Sequence, residues 1–536
     1  MKNKSYPLYS LPEIRDLKDM VRRHAADAPD AVAFSYSAGR NKTVQKTCRE
    51  FSDDIDALGT FLYQKGYKNS HIAIIGENSY EWLAAFLAIV NGGNVAVPID
   101  KEQPADKIRH LLQQSDCEAV FVSKNYAELV EEVDDITVFY ISDFSEYIAE
   151  GRKLIDSGIT EHTDYTINTD KLAAIFFTSG TTRSSKGVML SQKNMIYNVC
   201  VSRKSVEIRK NVLSVLPFYH AFGLMIGVFS VYCYGCPVYI NKSLKQVLND
   251  FQKSSPSAVA FVPLFVETFY KTIMENAKKN GRDKTLLRAV KISDFLLRFG
   301  MDLRKKLFKS VHEAFGGNLE YIICGGAPLD EKYVKAFRSW GITILNGYGI
   351  TECAPVVSVN RNYYWRDGSV GQILDGCKVR IAEDGEILVK GDNVILGYYK
   401  DDESTNAVIQ EGWYSTGDLG HIDNDGFLFI TGRKKNLIIL SNGENVSPEE
   451  IEAELLRDEA ISEAVVYGDK GMLHVEIFPC EPYIGNQEYF DALIANFNQN
   501  QPPHHQIQKV HLREKEFEKN STKKILRYKV TEEYHD

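Results

Sequence analysis

Apolar runs and amphipathic stretches alternate regularly along the chain from residue 71 onward. Residues 71–76 form a short apolar run typical of a buried strand, and residues 77–90 carry their large apolar side chains at helical spacing. Asn91-Gly92-Gly93 follows, where a glycine can take the left-handed conformation that ends a helix. The alternation continues with a strand predicted at 95–99, a helix at 105–114 and a strand at 117–122. This strand–helix–strand rhythm predicts a mostly parallel sheet with helices on both faces.

The same rhythm returns in the middle of the chain. Strands are predicted at 212–216, 258–262, 319–324 and 342–345, and helices at 264–279 and 331–340. No repeat of fixed period relates the two regions, but each of them contains the elements of a sheet covered by helices. The pattern therefore predicts an α/β fold with two doubly wound αβ subdomains in a large N-terminal domain.

The pattern changes after about residue 370, where short strands and tight turns replace the long helices. Strands are predicted at 378–381, 386–390 and 427–430. Glu383-Asp384-Gly385 and Asn424-Asp425-Gly426 are typical of hairpin turns. This segment is predicted to form a small β subdomain.

A final segment of helices and strands follows the charged residues Gly432 to Lys435. Ser447 is predicted to cap a helix, with Pro448 at its first position and Glu450 completing a capping box. We place the domain boundary at the charged residues, with an N-terminal domain at 1–432 and a smaller α+β C-terminal domain at 433–536.

Length and composition narrow the possible functions. The 536 residues are 44% hydrophobic and 25% charged, which is ordinary for a globular protein of more than one domain. The net charge of −9 argues against a general nucleic-acid binder. An anionic substrate would therefore need a locally basic site.

The cysteines and the apolar runs indicate the compartment. The nine cysteines follow no disulfide framework, and Cys233 and Cys236 are predicted to be two buried thiols rather than a metal or redox pair. The first residues lack the apolar core of a signal peptide, and no apolar run reaches the roughly 18 to 20 residues of a spanning helix. We expect a cytoplasmic protein, with peripheral membrane contact if its substrate is a lipid. The sequence does not indicate an oligomeric state.

The loop from Thr178 to Gly187 has the composition of a phosphate-binding segment. An apolar run ends there in hydroxyl side chains, glycines, an arginine and a lysine before Val188 resumes the apolar pattern. Glycines let the backbone approach a phosphate, hydroxyls donate hydrogen bonds and a lysine supplies charge. The Walker pattern does not fit, because residue 185 is serine instead of glycine and residue 187 is glycine instead of serine or threonine. The candidate phosphate ligands are Thr178, Ser179, Gly180, Thr181, Thr182 and Lys186.

This loop resembles the nucleotide loop of adenylate-forming enzymes, the family of acyl-CoA synthetases, aryl-CoA ligases, firefly luciferase and peptide-synthetase adenylation domains. Further motifs occur in the order typical of that family and cover roughly residues 20 to 530. They are Leu216 to Gly223, Gly325 to Pro328, Asn346 to Glu352, Tyr414 to Asp418, Gly432 to Lys435, Ser441 to Val446 and Asn520 to Arg527.

The resemblance implies roles for residues of the first half of this set. His220 would lie near the acyl pocket, and the ring of Tyr348 would stack on the purine of ATP. Thr351 would contact the α-phosphate, and Glu352 would supply a hard oxygen ligand to Mg²⁺. The ATP-binding set would also include Gly325, Ala327, Pro328, Asn346, Gly347 and Gly349.

The resemblance implies further roles toward the C-terminus. Asp418 would bind both ribose hydroxyls, since a carboxylate accepts two hydrogen bonds, with Arg433 beside it. Lys435 would be the hinge of a mobile C-terminal domain. Gly443 would belong to the loop that enters the site for thioester formation, and Lys524 would contact the substrate and the α-phosphate.

The implied activity is that of an ATP-dependent acyl-CoA synthetase, with ATP, Mg²⁺ and coenzyme A as cofactors or co-substrates. A carboxylic acid is first converted to acyl-AMP with release of pyrophosphate, and the acyl group then passes to the thiol of CoA. Residues 262–267, 325–329 and 432–448 are similar to long-chain members, which favours a medium- or long-chain fatty acid. The apolar residues 222–231 fit either a substrate tunnel or a buried core helix.

Three alternatives stay open at this stage. The same adenylate could pass to the phosphopantetheine of an acyl carrier protein, or the acid could be an aryl or short-chain acid. The chain could also be an ATP-binding regulator without catalysis. Arg183 and Ser185 stand where the family usually has glycine and proline, so nucleotide binding by this loop is the first property to test.

Overall fold

The computed structural model describes residues 7–39, 42–131, 133, 135–178, 185–440, 444–469, 471–519 and 525–532. Its internal contacts divide these residues into two compact units. The large unit contains the described residues up to Thr178, those from Lys186 to Lys378 and those from Val389 to Tyr414. The small unit contains Ser185, Val379 to Leu388 and the described residues from Ser415 onward.

The helices and strands of both units are numbered along the chain. The α-helices are α1 Leu17–Asp27, α2 Cys48–Gln64, α3 Tyr80–Asn91, α4 Ala105–Gln114, α5 Phe144–Asp156, α6 Gln192–Ser205, α7 Ser230–Tyr232, α8 Val247–Ser254, α9 Pro263–Lys279, α10 Asp283–Arg298, α11 Arg304–Leu307, α12 Lys309–Ala314, α13 Glu331–Trp340, α14 Asp402–Val408, α15 Pro448–Leu455, α16 Gln487–Gln499 and α17 Arg527–Glu532.

The strands are β1 Val32–Ser37, β2 Thr43–Thr47, β3 His71–Ile75, β4 Val95–Pro98, β5 Cys117–Val122, β6 Thr137–Tyr140, β7 Leu172–Thr178, β8 Lys186–Ser191, β9 Val212–Ser214, β10 Val238–Ile240, β11 Ala258–Phe261, β12 Tyr321–Cys324, β13 Thr343–Gly349, β14 Val356–Val359, β15 Gln372–Ile373, β16 Lys378–Ile381, β17 Glu386–Lys390, β18 Gly397–Tyr398, β19 Ile409–Gln410, β20 Trp413–Ile422, β21 Leu428–Arg433, β22 Ile438–Ile439, β23 Asn445–Val446, β24 Ile461–Asp469, β25 Met472–Pro479 and β26 Ile507–Leu512.

Two large sheets organise the large unit. The first has seven strands in the order β18-β8-β7-β4-β3-β5-β6, parallel from β7 to β6 and antiparallel at the β8 edge. The second has nine strands in the order β15-β14-β13-β12-β11-β9-β10-β1-β2, parallel from β13 to β1. The predicted α/β fold with two αβ subdomains is confirmed. The hairpin β1–β2 joins the second sheet, an arrangement that the local pattern did not indicate.

Local capping explains where the predicted helices begin. α3 starts at Tyr80, three residues later than predicted, because the Ser79 side chain accepts a hydrogen bond from the Trp82 amide and caps the helix there. α13 is capped by Asp330 and ends at Gly341, whose φ of 92° is the left-handed conformation that favours glycine. The predicted capping box at Ser447 is wrong. Its hydroxyl instead donates to the Thr431 carbonyl at 2.9 Å, so α15 has no side-chain cap.

The small unit contains the three-stranded sheet β24-β25-β26, in which β24 and β25 are antiparallel and β25 and β26 parallel. α15 and α16 cover it with a core that includes Ile451, Val475 and Phe490. In the same unit β20 and β21 form a hairpin whose turn has Gly426 at a φ of 81°, as the turn prediction expects. Across the described residues of both units, none of the helices combines the length and the apolar character needed to cross a membrane.

Candidate active site

Two glycine-containing turns lie side by side at the carboxyl ends of β12 and β13. These strands are parallel, and Cys324 at the end of β12 is in register with Asn346 in β13. A Cβ atom on Gly325 would lie 3.3 Å from the Gly347 carbonyl oxygen, and one on Gly349 would lie 2.0 Å from the Pro355 carbonyl oxygen. A side chain at Gly349 would therefore collide with the backbone, and one at Gly325 would make a tight contact with the neighbouring turn. The structure thus brings together the two turns that the sequence analysis assigned to adenine.

One polar atom in these turns has no partner. The Oδ1 atom of Asn346 is buried and accepts no hydrogen bond from any described group. Buried acceptors in folded proteins are normally satisfied, and an exception points to a missing donor. The site therefore fits a ligand that presents an N–H group next to Gly347, as the amino group of adenine does.

Glu352 lies just beyond these turns, in the short 3₁₀ segment Thr351–Cys353. Its Oε1 atom accepts a hydrogen bond from the Tyr398 hydroxyl at 3.2 Å, and that hydroxyl lies 3.0 Å from the hydroxyl of Tyr414. Burial, followed by the charge of Glu352, raises the pKa of both phenols, so they stay protonated at neutral pH. Tyr398 is thus a neutral donor that helps to orient the carboxylate without adding a positive charge, and Tyr414 contacts the hydroxyl of Tyr398.

Lys186 is held close to the same tyrosine. Its ammonium group donates to the Ser404 hydroxyl at 2.8 Å and lies 4.7 Å from the centre of the Tyr398 ring. Lys186 and Tyr398 are close because β18 pairs antiparallel with β8, which sets Tyr398 in register with Val188. Thr178, at the end of β7, is in register with Lys186. The other predicted loop ligands, Ser179, Gly180, Thr181 and Thr182, together with Arg183, lie outside the described residues.

A cavity opens from the two glycine turns into the large unit. It contains about 720 Å³ of space not filled by atoms, part of it open to solvent. Its lining residues are Ser202, Arg203, Val206, Ile208, Phe222, Ile226, Ser230, Tyr234, Ile323, Cys324, Gly325, Gly326, Gly347, Tyr348, Gly349, Pro355, Val356 and Val359. Most of the lining is apolar.

The apolar segment after His220 serves two purposes. Residues Phe222–Phe229 form a π-helix, a rare conformation that occurs frequently at functional sites. Phe222 and Ile226 line the cavity, whereas Leu224 is fully buried in the core. The segment therefore contributes both to the cavity wall and to the buried core. His220 itself packs against the ring of Tyr219, with ring centres 4.6 Å apart, and is not among the lining residues.

Three residues around this site were not predicted from the sequence. Asn78 holds the segment before His220 in place, since its amide donates to the Leu216 carbonyl at 2.8 Å and its oxygen accepts from the Phe218 amide at 3.0 Å. Tyr398 links Glu352 to Lys186, and Arg203 lines the cavity. No local motif marks any of them, because each acts through residues distant in sequence.

The small unit presents a second group of predicted residues. Asp418 and Arg433 are in register on β20 and β21, and Arg433 Nε lies 2.9 Å from Asp418 Oδ1. The Asp418 side chain is only 5% exposed. The neighbouring Lys434 binds Glu386 at 2.7 Å and Asp384 at 2.6 Å, and these carboxylates raise its pKa. The carboxylate of Asp418 is thus held in a fixed orientation by its arginine.

Three further predictions concern the C-terminal part of the chain. Lys435 lies in the short 3₁₀ segment after β21, where burial and then the charge of Arg433 lower its pKa. Gly443 and Lys524 lie outside the described residues. Their roles stay predictions.

The described residues contain no cluster of three or more histidine, cysteine, aspartate or glutamate side chains that could hold a metal ion. Mg²⁺ rarely needs such a cluster, since it is usually bound by one or two carboxylates with water and substrate phosphates. A single oriented carboxylate such as Glu352 fits that mode of binding.

Comparisons with known proteins identify the family of this chain. A family model described as AMP-binding enzyme matches residues 21–399, and a model of the AMP-binding enzyme C-terminal domain matches residues 435–536. The long-chain-fatty-acid–CoA ligase FadD15 of Mycobacterium tuberculosis is 31% identical over 491 residues, covering 86% of this chain and 81% of that protein. The chloroplastic long-chain-fatty-acid–[acyl-carrier-protein] ligase AEE15 of Arabidopsis thaliana is 27% identical over 530 residues, covering 82% of this chain and 72% of that protein.

A solved structure shares the fold. ATP-bound MatB from Rhodopseudomonas palustris superposes with a TM-score of 0.78 at 22% identity, covering 97% of this chain and 99% of that chain. The chain belongs to the family of AMP-binding enzymes. The resemblance to adenylate-forming enzymes, and among them to fatty acyl-CoA synthetases, is confirmed.

Proposed function

We propose that this protein is an ATP-dependent acyl-CoA synthetase that activates a medium- or long-chain fatty acid. The coarser assignment, an AMP-forming acid–thiol ligase, follows from its family and its relatives. One observation supports the fatty-acid part most directly. The turns assigned to the nucleotide form one wall of a largely apolar cavity, so an acyl chain in the cavity would present its carboxylate beside the phosphates of ATP.

In the first half-reaction a carboxylate oxygen of the acid attacks the α-phosphorus of ATP. The bond from that phosphorus to the bridging oxygen breaks, and pyrophosphate leaves with the bonding electrons. An anion attacks an anion, so the residues act mainly by neutralising charge and aligning the reactants. Lys186, Lys524 and Thr351 have this role in the proposal, while Asn346 and Tyr348 hold the adenine.

Mg²⁺, when bound, supplies positive charge to the phosphate oxygens. Glu352 would hold it, and the hydroxyl of Tyr398 keeps that carboxylate in place. Asp418 would bind the ribose hydroxyls, with Arg433 holding its carboxylate in place. His220 would lie near the entrance of the acyl pocket.

In the second half-reaction the thiol of CoA loses its proton, its sulfur attacks the acyl carbon, and AMP leaves with the former carboxylate oxygen. We assign the N-terminal domain to residues 1–432 and the C-terminal domain to residues 433–536. Rotation about Lys435 would withdraw Lys524 and bring in the loop that contains Gly443, an example of a domain motion between two catalytic steps.

Acid-dependent release of pyrophosphate tests this function. Purified protein with ATP and Mg²⁺ is given a panel of saturated fatty acids, aryl acids and short-chain acids. We expect release with medium- or long-chain acids and formation of AMP but no ADP. Failure of the whole panel would reject the synthetase and favour an ATP-binding regulator, and a preference for aryl acids would reject the fatty-acid assignment.

The acceptor is tested separately, because AEE15 is named as a carrier-protein ligase. Thioester formation is measured with CoA and with a phosphopantetheinylated acyl carrier protein at equal concentration. We expect the CoA thioester to predominate. A Lys524→Ala variant should lose adenylate formation but retain thioester formation from a preformed acyl-adenylate, and equal loss of both steps would contradict the two-conformation scheme.

We infer a cytoplasmic location with peripheral contact to anionic membranes. The nine cysteines are all free, as expected in a reducing compartment. Ile292 and Phe295 in α10 and Phe299 directly after this helix are between 53% and 66% exposed, an unusual display of large apolar side chains. Arg288, Lys291 and Arg298 on the same helix add positive charge to a chain that is acidic overall. Aromatic residues with a basic rim suit the surface of an anionic bilayer.

Vesicle flotation tests this contact. We expect the protein to float with phosphatidylglycerol vesicles at low salt and much less with phosphatidylcholine vesicles. A Phe295→Ser/Phe299→Ser variant should stay in the lower fraction while keeping its activity toward a water-soluble medium-chain acid. Equal flotation of both forms would contradict the assignment of this surface.

A further inference from the structure

The largely apolar cavity contains one charged side chain among its lining residues, that of Arg203. Arg203 lies in the last turn of α6 and is only 5% exposed. Its placement is unusual, because arginine is almost never buried unless a partner compensates its charge. The groups around Arg203 therefore determine how its charge is compensated.

The contacts of Arg203 occupy only part of its guanidinium group. Nη1 donates to the carbonyl oxygen of Cys233 and lies 3.1 Å from the Cys233 sulfur. The plane of the group stacks on Tyr234, with the guanidinium carbon 3.5 Å from the ring centre. Nε is buried without a hydrogen-bond partner, and Nη2 makes no hydrogen bond within the described residues. In that same set no carboxylate pairs with Arg203.

The two atoms without partners share one edge of the guanidinium plane. Nε–H and Nη2–H point in the same direction and match the two oxygens of a carboxylate, which is the most specific way for arginine to bind an anion. Tyr234 fixes the plane from the other side, because its hydroxyl donates to the backbone carbonyl of Arg203 at 2.5 Å. The side chain is therefore pre-oriented as an anion receptor at the wall of an apolar cavity.

The Cys233 thiol is the competing internal counterion. Its pKa is lowered, chiefly by a hydrogen bond from Cys200 and further by the charge of Arg203. It contacts Nη1 and leaves Nε without a hydrogen-bond partner. A thiolate there would reduce the net charge without supplying the missing hydrogen-bond acceptors.

We propose that Arg203 is a specificity-determining residue that binds a second carboxylate at the far end of the acyl substrate. The preferred acid is then an α,ω-dicarboxylic acid, whose first carboxylate is activated beside Tyr348 while its second pairs with Arg203. This inference rests on the proposed acyl-CoA synthetase function and narrows its substrate class. The hydrocarbon between the two carboxylates is covered by the apolar lining, including Ile226 and Val359.

The test compares acids of matched length. Pyrophosphate release is measured with unbranched monoacids, α,ω-diacids and the monomethyl esters of those diacids, from octanedioic to hexadecanedioic acid. At the best chain length we expect kcat/KM for the diacid to exceed that of its monoester by about 10- to 100-fold, as charge-assisted hydrogen bonds predict. A monoester or monoacid that is used as well as the diacid at every length would overturn the proposal.

Two variants assign the effect to Arg203. Arg203→Met should lose the preference for the diacid and keep or improve the use of the monoacid, and Arg203→Lys should keep charge but lose most of the preference, because it lacks the two-pronged edge. Arg209→Met is the matched control, since Arg209 is exposed and pairs with Glu207. If Arg203→Met does not fold, two other measurements decide whether Arg203 binds the second carboxylate. One is the diacid preference of Arg203→Lys, and the other is the thermal stabilisation of wild-type protein by a diacid in the absence of ATP.

The remaining outcomes separate this inference from the function on which it rests. Release of pyrophosphate with monoacids but no advantage for diacids overturns only the assignment of Arg203. No release with any acid overturns the synthetase itself. Equal use of diacid and monoacid, together with a loss of stability in Cys233→Ser, would identify the Cys233 thiolate as the counterion and overturn the proposal.

Discussion

Glu452 in the small unit and Arg203 in the large unit are both buried charged side chains, and they differ in what faces them. Glu452 is 6% exposed, accepts from the guanidinium of Arg527 and accepts from the Val466 amide at 2.6 Å. Arg203 is 5% exposed and meets a carbonyl, a thiol and an aromatic ring. The first group is satisfied by the fold itself. The second lines a cavity and leaves its buried Nε without a hydrogen-bond partner, which is the arrangement expected where a ligand completes the site.

The largest expected effect comes from breaking the internal pair. Arg527→Met leaves Glu452 buried without its cation, which should lower the free energy of unfolding of the small unit by about 3 kcal/mol at neutral pH. Burial raises the pKa of Glu452 to about 7 even with Arg527 opposing it. Its folded-state pKa lies above the unfolded value of 4.5, so its contribution to stability is present below pH 4.5 and is lost as the pH rises through 7.

Removal of Arg527 raises that pKa further, so the destabilisation should be larger at alkaline than at acidic pH. Urea unfolding of wild type and variant at both extremes measures this difference. Lys509→Met is the matched control, because Lys509 is exposed on the same sheet. A variant that unfolds at the wild-type midpoint at every pH would show that the pair adds nothing.

His162 shows a third way to bury a titratable group, as a neutral ring. It is fully buried, its Nε2 lies 3.1 Å from the Ala88 carbonyl, and Gly59 and Gly92 make room for it. Burial, then the charge of Lys18, lowers its pKa to about 3 from 6.5. The unfolded chain therefore binds the extra proton between these values, and stability falls as the pH drops below 6.5.

Below pH 6.5 the free energy of unfolding should fall by about 1.4 kcal/mol per pH unit, so that about 2 kcal/mol is lost at pH 5. The measurement is the pH dependence of the unfolding midpoint for wild type and for His162→Gln. The variant should have the shallower slope. Parallel slopes would mean that the ring is protonated in the folded protein.

Tyr398 allows a test of orientation without charge. Tyr398→Phe removes the hydroxyl that donates to Glu352 and leaves the ring beneath Lys186 in place. We expect about a tenfold fall in kcat/KM for adenylate formation, since one hydrogen bond to a charged group is lost. The Mg²⁺ concentration required for half-maximal activity should rise as well, a change that a purely structural role would not produce. Tyr399→Phe, whose hydroxyl binds Asp116 instead, is the control.

Local sequence patterns predicted the elements whose signals lie within one segment. α4 and α13 have the predicted bounds because their periodicity and flanking residues are local. Tyr398 was missed because its position depends on the pairing of β18 with β8, more than two hundred residues earlier. Ser447 stands at the predicted N-cap position before Pro448, but its capping box was predicted wrongly because its hydroxyl has a partner on β21 that no local pattern shows.

Arg203 illustrates the same limit for the site. In sequence it is an ordinary basic residue in the last turn of a helix, where cations are favourable. Its burial depends on Cys233 and Tyr234, which follow about thirty residues later. A residue that acts through tertiary contacts alone carries no motif, and only the packed structure distinguishes it from its exposed neighbours.

The smallest change in unfolding free energy is expected for Arg203→Met, and this change distinguishes Arg203 most clearly from Glu452. Arg203→Met removes a hydrogen bond to the Cys233 carbonyl and a cation–π contact, but it also removes a buried charge that no carboxylate compensates. Replacing such a group by an apolar one of similar length is often neutral or stabilising, so we expect the unfolding free energy to change by less than about 1 kcal/mol without substrate. Urea unfolding of the ligand-free protein measures it beside Arg527→Met. A decrease in unfolding free energy as large as that of Arg527→Met would mean that the fold itself requires the charge of Arg203. The charge would then not be kept for a ligand.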